Sequence, residues 1–253
     1  MAVAAGTCRP DAGSTPPDGG TAAPDSGALA LLPLVRVLQL ASPALPIGAY
    51  SYSQGLEWAV EEGTVRNAAA AQEWIGDLLT LVVARGEAAV AWRLLRAAGE
   101  DWAAFARWNA WFRASRETAE LRAETAQMGS SLARLAIDLE WLDPPARAAL
   151  ASVAPVTLPA AFALAARGFA IPAAAALTAY LWSWLENQVL AAMKLVPLGQ
   201  VAGQRMLVAL GAAIPAIVAA ASMIPDDDMA TFAPGFALAS ARHETQYTRL
   251  FRS

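Results

Sequence analysis

Few side chains in this sequence are of the types that carry out acid–base, nucleophilic or metal chemistry. The chain has one histidine, His243, one cysteine, Cys8, and one lysine, Lys194. A histidine-based catalytic triad or a multi-histidine metal centre needs partners that His243 lacks. The lysine precedes Leu195 rather than the Ser or Thr of a phosphate-binding P-loop. The sequence therefore predicts no catalytic residue, no metal site and no tightly bound cofactor.

Three glutamates at helical spacing form the other group that could support acid–base chemistry: Glu117, Glu120 and Glu124. Arginines flank them, and this alternation usually makes a solvated, salt-bridged helix face. A catalytic interpretation would require a pocket that holds acids of raised pKa at these positions. A helical enzyme with a carboxylate site is therefore kept as a second alternative.

The single lysine lies near the end of a long predicted helix, Pro172 to Val196. One apolar stripe runs along that helix and is predicted to be core: Trp182, Leu185, Val189, Ala192 and Val196. Ser183, Asn187 and Lys194 lie on the opposite side. A chain break follows at once and places Lys194 at a helix C-terminus, where a cation is favourable. The sequence predicts either a capping or a partner-binding role for Lys194 and leaves both open.

Much earlier in the chain, an irregular connection precedes the predicted helix over residues 53–61, because Pro43, Pro46 and Gly48 interrupt regular structure there. Ser51 and Gln54 have the spacing of a capping box. The segment is predicted to form a rigid corner that presents Tyr50.

The last eleven residues, 243–253, mix aromatic, apolar and arginine residues, which are enriched in interface hot spots. We expect this tail to dock on the body of the protein or on a partner. Tyr247, Leu250 and Phe251 are predicted to lie near Tyr50, and Arg249 to make charge-assisted hydrogen bonds.

Helical stretches separated by short Pro and Gly breaks surround these residues, without the alternating Val, Ile and Thr pattern of strands. The sequence predicts an all-α fold, a single compact domain of about nine to ten helices over residues 29–253. Residues 1–28, rich in Gly, Pro, Ser and Asp, are predicted to be a disordered leader. The predicted helices cover residues 31–41, 53–61, 68–84, 87–98, 101–114, 117–140, 159–167, 172–196, 200–222 and 234–243. Asp143-Pro144-Pro145 is predicted to break the chain.

The composition is apolar and weakly acidic, with 57% hydrophobic residues and a net charge of −4. No basic stripe is present, which argues against a nucleic-acid partner. Residues 206–224 carry no charge over a membrane-spanning length, but they are dominated by alanine and interrupted by Pro215. A buried core helix is predicted, and a small alanine-rich helical membrane protein is the main alternative. The leader lacks the features of a secretory signal, which favours a cytoplasmic location.

Four segments, in this order, resemble the UreF family of urease accessory proteins. They are Leu40 to Glu57, Ser115 to Glu124, Lys194 to Gln200, and Arg242 to Ser253. The resemblance extends from about residue 34 to the last residue of the sequence, and Ala49 stands where glycine is common.

The resemblance implies an all-helical, cytoplasmic homodimer without enzymatic activity. Such a protein would bind UreD, also called UreH, and the GTPase UreG, and that complex would load nickel into apo-urease. Tyr50 and Arg249 resemble members of a region ordered by UreD, with Glu120 nearby, and Lys194 resembles part of the surface that couples to UreG. Tyr247 is added as a partner-binding residue of the tail. Nickel would be handled by the assembled complex.

Overall fold

The computed structural model describes residue 2 and residues 30–253, and over that range its regular elements are all helices, joined by turns and loops. The predicted leader, residues 1–28, lies outside the described residues except for residue 2. Leu31–Ser253 forms one compact unit. Its α-helices are α1 (Leu31–Ala41), α2 (Leu56–Glu61), α3 (Ala68–Asp77), α4 (Ala88–Ala97), α5 (Trp102–Ala114), α6 (Ala119–Asp138), α7 (Pro144–Ser152), α8 (Leu158–Gly168), α9 (Ala173–Leu195), α10 (Gln200–Gly211), α11 (Ile214–Ala221) and α12 (Pro234–His243).

A π-helical segment, Leu78–Glu87, joins α3 to α4 without a break, because the residues at both junctions keep helical backbone angles. Two separate helices were predicted here, so that boundary was wrong. The wider π-helix leaves Gly86 against the 230–231 loop, where a Cβ atom would lie 2.3 Å from Thr231 Cγ2. The segment ends at Glu87, which is buried.

The prediction of an all-helical fold is confirmed. Helices α3 and α4 form one continuous rod, and so do α10 and α11. Counted in this way, the described residues contain ten helices. The predicted chain break is confirmed, since α6 ends at Asp138, but helix α7, which starts at Pro144 directly after Asp143, was not predicted. Asp143 caps that helix by accepting a hydrogen bond from the Ala146 N–H at 2.9 Å, and Pro144 occupies the first turn, where its missing N–H costs nothing.

Alanine and glycine allow the helices to pack closely around α9. The side of α6 that carries Gly129 touches the start of α8, so that a Cβ atom there would lie 2.4 Å from the Val156 carbonyl oxygen. One apolar cluster packs α9 against α3, α10 and α11, and a second packs it against α4, α5 and α8. These contacts fix α9 as the central helix.

The predicted apolar stripe of α9 is buried at four of its five positions. Trp182 is the exception, with 36% of its surface exposed. Its ring lies over Gly211 at the end of α10 rather than inside the core. Lys194 lies in the last turn of α9, as predicted.

One helix of the described residues, Gln200–Ala221, is long and apolar enough to cross a membrane, and 33% of its most apolar window is buried. A single helix of this kind is weak evidence for a membrane protein, because core helices pass the same test. Gly211 and Pro215 lie at its bend between α10 and α11.

Candidate functional site

The corner before α2 is built on two glycines with left-handed backbone angles, Gly48 at φ 81° and Gly55 at φ 79°. The predicted capping box was wrong, because Gly55 is the N-cap residue and Ser53 Oγ accepts the Glu57 N–H at 3.3 Å. Gln54 points inward instead. The corner presents Tyr50 to solvent, as predicted.

The tail docks in the groove beside this corner. Ser53 donates two hydrogen bonds to the Ser253 carbonyl oxygen, from its backbone N–H at 2.7 Å and from its hydroxyl at 2.6 Å. The Glu57 carboxylate accepts the backbone N–H groups of Leu250 and Phe251, the latter at 2.9 Å. Phe251 is 5% exposed and joins the apolar core. The predicted docking of the tail on the body is confirmed.

His243 lies between the body and the tail and is fully buried. Its Nε2 atom lies 3.1 Å from Glu57 Oε2, and its Nδ1 atom lies 2.7 Å from Glu120 Oε2. The other oxygen of Glu120 binds Arg249, which is the charge-assisted contact predicted for that arginine. Glu120 and Arg249 are thus direct partners across the docked tail.

Lys194 reaches the same tail from the end of α9. Its Nζ atom lies 5.5 Å from the ring centre of Phe251 and 5.9 Å from that of Tyr50. Both distances are within the range of cation–π attraction. Asn187, on the same side of α9, donates to the Tyr52 carbonyl oxygen at 3.1 Å and holds the corner in place. The polar side of α9 therefore positions the corner and the tail.

Two residues of the tail do not pack as predicted. Tyr247 is 102% exposed and Leu250 is 67% exposed, so neither is held against Tyr50. The Glu57 carboxylate holds the backbone of residues 250 and 251, which turns the Leu250 side chain outward while Phe251 turns inward. Of the three apolar tail residues, only Phe251 anchors the tail.

The predicted solvated face of glutamates and arginines was also wrong. Glu124 and Arg116 are buried, and Glu120 is occupied by His243 and Arg249. Both oxygens of Glu124 accept hydrogen bonds, one from Gln54 Nε2 at 2.8 Å and one from Ser253 Oγ at 2.7 Å. Glu124 therefore links the body to the last residue of the tail.

A cavity of about 90 Å³ opens beside Glu124, between α1, α6 and α9. Burial raises the pKa of Glu124 to about 7. At the other side of the cavity Glu87 accepts the Tyr180 hydroxyl and pairs with Arg116, Nη1 to Oε2, at 3.2 Å. Burial and the neighbouring Glu87 together raise the pKa of Tyr180 above its ordinary value. A helical enzyme with a carboxylate site would need a pocket that holds an acid of raised pKa. This cavity, with Glu124 beside it, meets that requirement.

Sequence reasoning missed two residues of this region, Glu57 and Glu87. It also missed the structural role of His243. Glu57 sits in a short helix of only six residues, and its partners follow it by more than 180 positions. The presence of a single histidine in the sequence was the one available signal. The described residues contain no group of three or more His, Cys, Asp or Glu side chains that could hold a metal ion.

Comparison with known proteins identifies the family. The family model for UreF matches residues 65–211, more than half of the chain. The urease accessory protein UreF of Azoarcus sp. (strain BH72) is 60% identical over 226 residues, which cover 88% of this chain and 97% of the relative. The chain belongs to the UreF family. It is a urease accessory protein by family, with a role in urease maturation, and the family does not favour the membrane alternative.

Two other relatives match this chain over a similar length. The urease accessory protein UreF of Bordetella parapertussis is 55% identical over 225 residues, covering 85% of this chain and all of the relative. A bifunctional urease accessory protein UreEF of Bordetella bronchiseptica is 55% identical over 229 residues, covering 87% of this chain and 52% of the relative. In that relative a UreF-like segment shares a chain with a second accessory function.

Proposed function

We propose that this chain is a non-catalytic scaffold that bridges UreD (UreH) and the GTPase UreG during nickel loading of apo-urease. It acts in the cytoplasm as a homodimer, and nickel is handled by the assembled complex. The observation that carries the proposal is the docked tail, which is anchored by Phe251 yet leaves Tyr247 and Leu250 exposed. Tyrosine and arginine are enriched among the residues that anchor protein–protein interfaces, and the docked tail presents Tyr247 and Arg249 on a fixed backbone.

The residues around the tail fit two contact regions. Tyr50, Arg249, Glu120 and Tyr247 lie on the corner, the tail and α6, and are proposed to form the region that contacts UreD. Lys194 lies at the end of α9 beside Tyr50, and is proposed to couple to UreG. Because Phe251 lies under Lys194 while Arg249 binds Glu120, the tail connects the two regions physically.

The cavity beside Glu124 supports a structural role better than catalysis. Both oxygens of Glu124 are occupied by Gln54 and Ser253, and Glu87 is occupied by Tyr180 and Arg116. A general acid or base needs an oxygen free to reach substrate. The carboxylates instead hold the corner, the tail and the π-helical segment together.

Deleting residues 247–253 is expected to abolish capture of UreD and UreG while the chain stays helical. The cut leaves His243 between Glu57 and Glu120, and it keeps Glu244, which accepts the N–H groups at the start of α6. The test is co-purification of tagged UreD and UreG with the full and the shortened chain, alongside far-ultraviolet circular dichroism.

A matched control keeps the tail docked and changes only its exposed side chains, in the double variant Tyr247→Ala, Leu250→Ala. Weakened capture by this variant would assign the contact to those side chains. Unimpaired capture by the shortened chain would refute the proposed role of the tail.

Lys194→Ala is expected to change the melting temperature little and to impair urease activation. An exposed cation at a helix C-terminus contributes about 0.3–1 kcal/mol, and cation–π contacts at exposed sites are of similar size. Lys194→Arg keeps the charge but adds a planar fork, and is expected to restore activation only in part. Thermal unfolding and nickel-dependent urease activation are measured for both variants. A large loss of stability that arginine fully repairs would make Lys194 a structural residue only.

A further inference from the structure

The buried imidazole of His243 faces a carboxylate at each ring nitrogen, at 3.1 Å from Glu57 and at 2.7 Å from Glu120. Ionised carboxylates can only accept hydrogen bonds, whereas a neutral imidazole donates from one nitrogen and accepts at the other. Both contacts are satisfied together only when both nitrogens carry a proton. The geometry therefore corresponds to the imidazolium form.

Three elements place charged side chains around this ring: α2, α6 and the tail. Glu57 belongs to α2, Glu120 to α6, and Arg249 to the tail. Glu244, next along the chain, is turned away toward the N–H groups of residues 119 and 120, at 2.7 and 3.1 Å. With His243 charged, two carboxylates face two cations. Loss of its proton leaves one excess negative charge beside a fully buried ring and points a nitrogen lone pair at a carboxylate oxygen, which is unfavourable.

The same two carboxylates hold the tail. Glu57 accepts the N–H groups of Leu250 and Phe251, and Glu120 binds Arg249. A change in the protonation of His243 therefore acts directly on the contacts that dock residues 249–251.

We propose that the tail is a proton-dependent latch, docked while His243 is doubly protonated and released when that proton is lost. The exposed side chains of Tyr247 and Leu250 are then held in one place at lower pH and become mobile as the pH rises. This inference concerns the isolated chain and does not rest on the proposed partners.

Hydrogen exchange at the backbone amides of Leu250 and Phe251 measures the latch, because the protection of these amides reports the ratio of docked to released tail. If release requires the loss of one proton, that ratio falls by up to about tenfold for each pH unit over the range in which the proton is lost. The series runs from about pH 5.5, below the ordinary histidine titration, to about pH 9, after division by the intrinsic exchange rate. Amides in the middle of α9, such as that of Leu181, report global unfolding and serve as the internal reference, so that only a pH response of residues 250 and 251 beyond that of Leu181 is assigned to the latch.

Three variants test which group carries the proton. In His243→Gln the protection of residues 250 and 251 is expected to be lower and independent of pH. Glu120→Gln keeps the histidine and replaces the carboxylate at Nδ1 with an amide, which can either donate or accept a hydrogen bond. The pH response is therefore expected to disappear in this variant. This variant still tests the proposal if His243→Gln does not fold. In Glu124→Gln the response is expected to persist. Constant protection in the unmodified chain, or a response lost only in Glu124→Gln, would overturn the proposal.

Discussion

Replacing Arg116 with methionine is expected to lower the free energy of unfolding by about 3–5 kcal/mol, the cost of leaving one member of a buried ion pair without its partner. Arg116 and Glu87 are each nearly inaccessible to solvent, and the Glu87 carboxylate has only the Tyr180 hydroxyl as its other partner. Methionine fills much of the same volume, so the loss is electrostatic rather than a cavity effect.

The control for this variant removes both charges. Arg116→Met combined with Glu87→Gln leaves an amide that still accepts the Tyr180 hydroxyl, and replacing both members of a buried pair is often close to neutral. Urea unfolding of the single and double variants gives the difference. A double variant as unstable as the single one would show that packing of Arg116 on the Phe112 ring, 4.3 Å away, matters more than its charge.

Glu124→Gln is expected to raise stability at pH 8 by up to about 3 kcal/mol and to leave it little changed at pH 4.5. Burial raises the pKa of Glu124 from its ordinary 4.5 to about 7. Between those values the folded chain holds a proton that the unfolded chain has released, so stability falls as the pH rises and levels off above about 7. Glutamine has no proton to lose and keeps hydrogen-bonding atoms toward Gln54 and Ser253.

Urea unfolding at several pH values from 4.5 to 8 checks this expectation, with Glu186→Gln as the matched control. Glu186 lines the same cavity but is only partly buried, and burial raises its pKa without an ion partner. Its replacement is expected to have a smaller effect on the pH dependence. Parallel pH profiles for Glu124→Gln and the unmodified chain would mean that the Glu124 carboxyl is solvated in solution.

Local patterns predicted the helices and the position of Lys194, because apolar periodicity and chain breaks depend on neighbours within a few residues. The same reasoning placed α9 in the core, but it wrongly predicted that the Trp182 side chain is buried. The Pro and Gly corner singled out Tyr50 and the composition of the tail drew attention to Arg249, whereas resemblance to a family added Glu120 and the partner each residue would contact. The structure brings Glu120 and Arg249 into contact and places Tyr50 beside Lys194 and the tail.

Contacts between distant segments were out of reach of the sequence. The spacing of Glu117, Glu120 and Glu124 is the spacing of an exposed face, and only the docking of the tail and the corner over α6 buries the third of them. The burial of His243 depends in the same way on Glu57, which precedes it by 186 positions. Alternation along a tail likewise does not show which side chain turns inward, so Tyr247 and Leu250 were placed wrongly.

The π-helical segment Leu78–Glu87 makes chain length, as much as residue identity, a determinant of this fold. A π-helix holds more residues than an α-helix for the same turning, so loss of one residue would be absorbed by conversion of the wide winding to the tighter α-helical winding. The rod from Ala68 to Ala97 would stay continuous, but the backbone that sets Gly86 against Thr231 and Glu87 beside Tyr180 and Arg116 would change its path. A single-residue deletion in this stretch would therefore disturb the buried cluster although every residue of the cluster was still present.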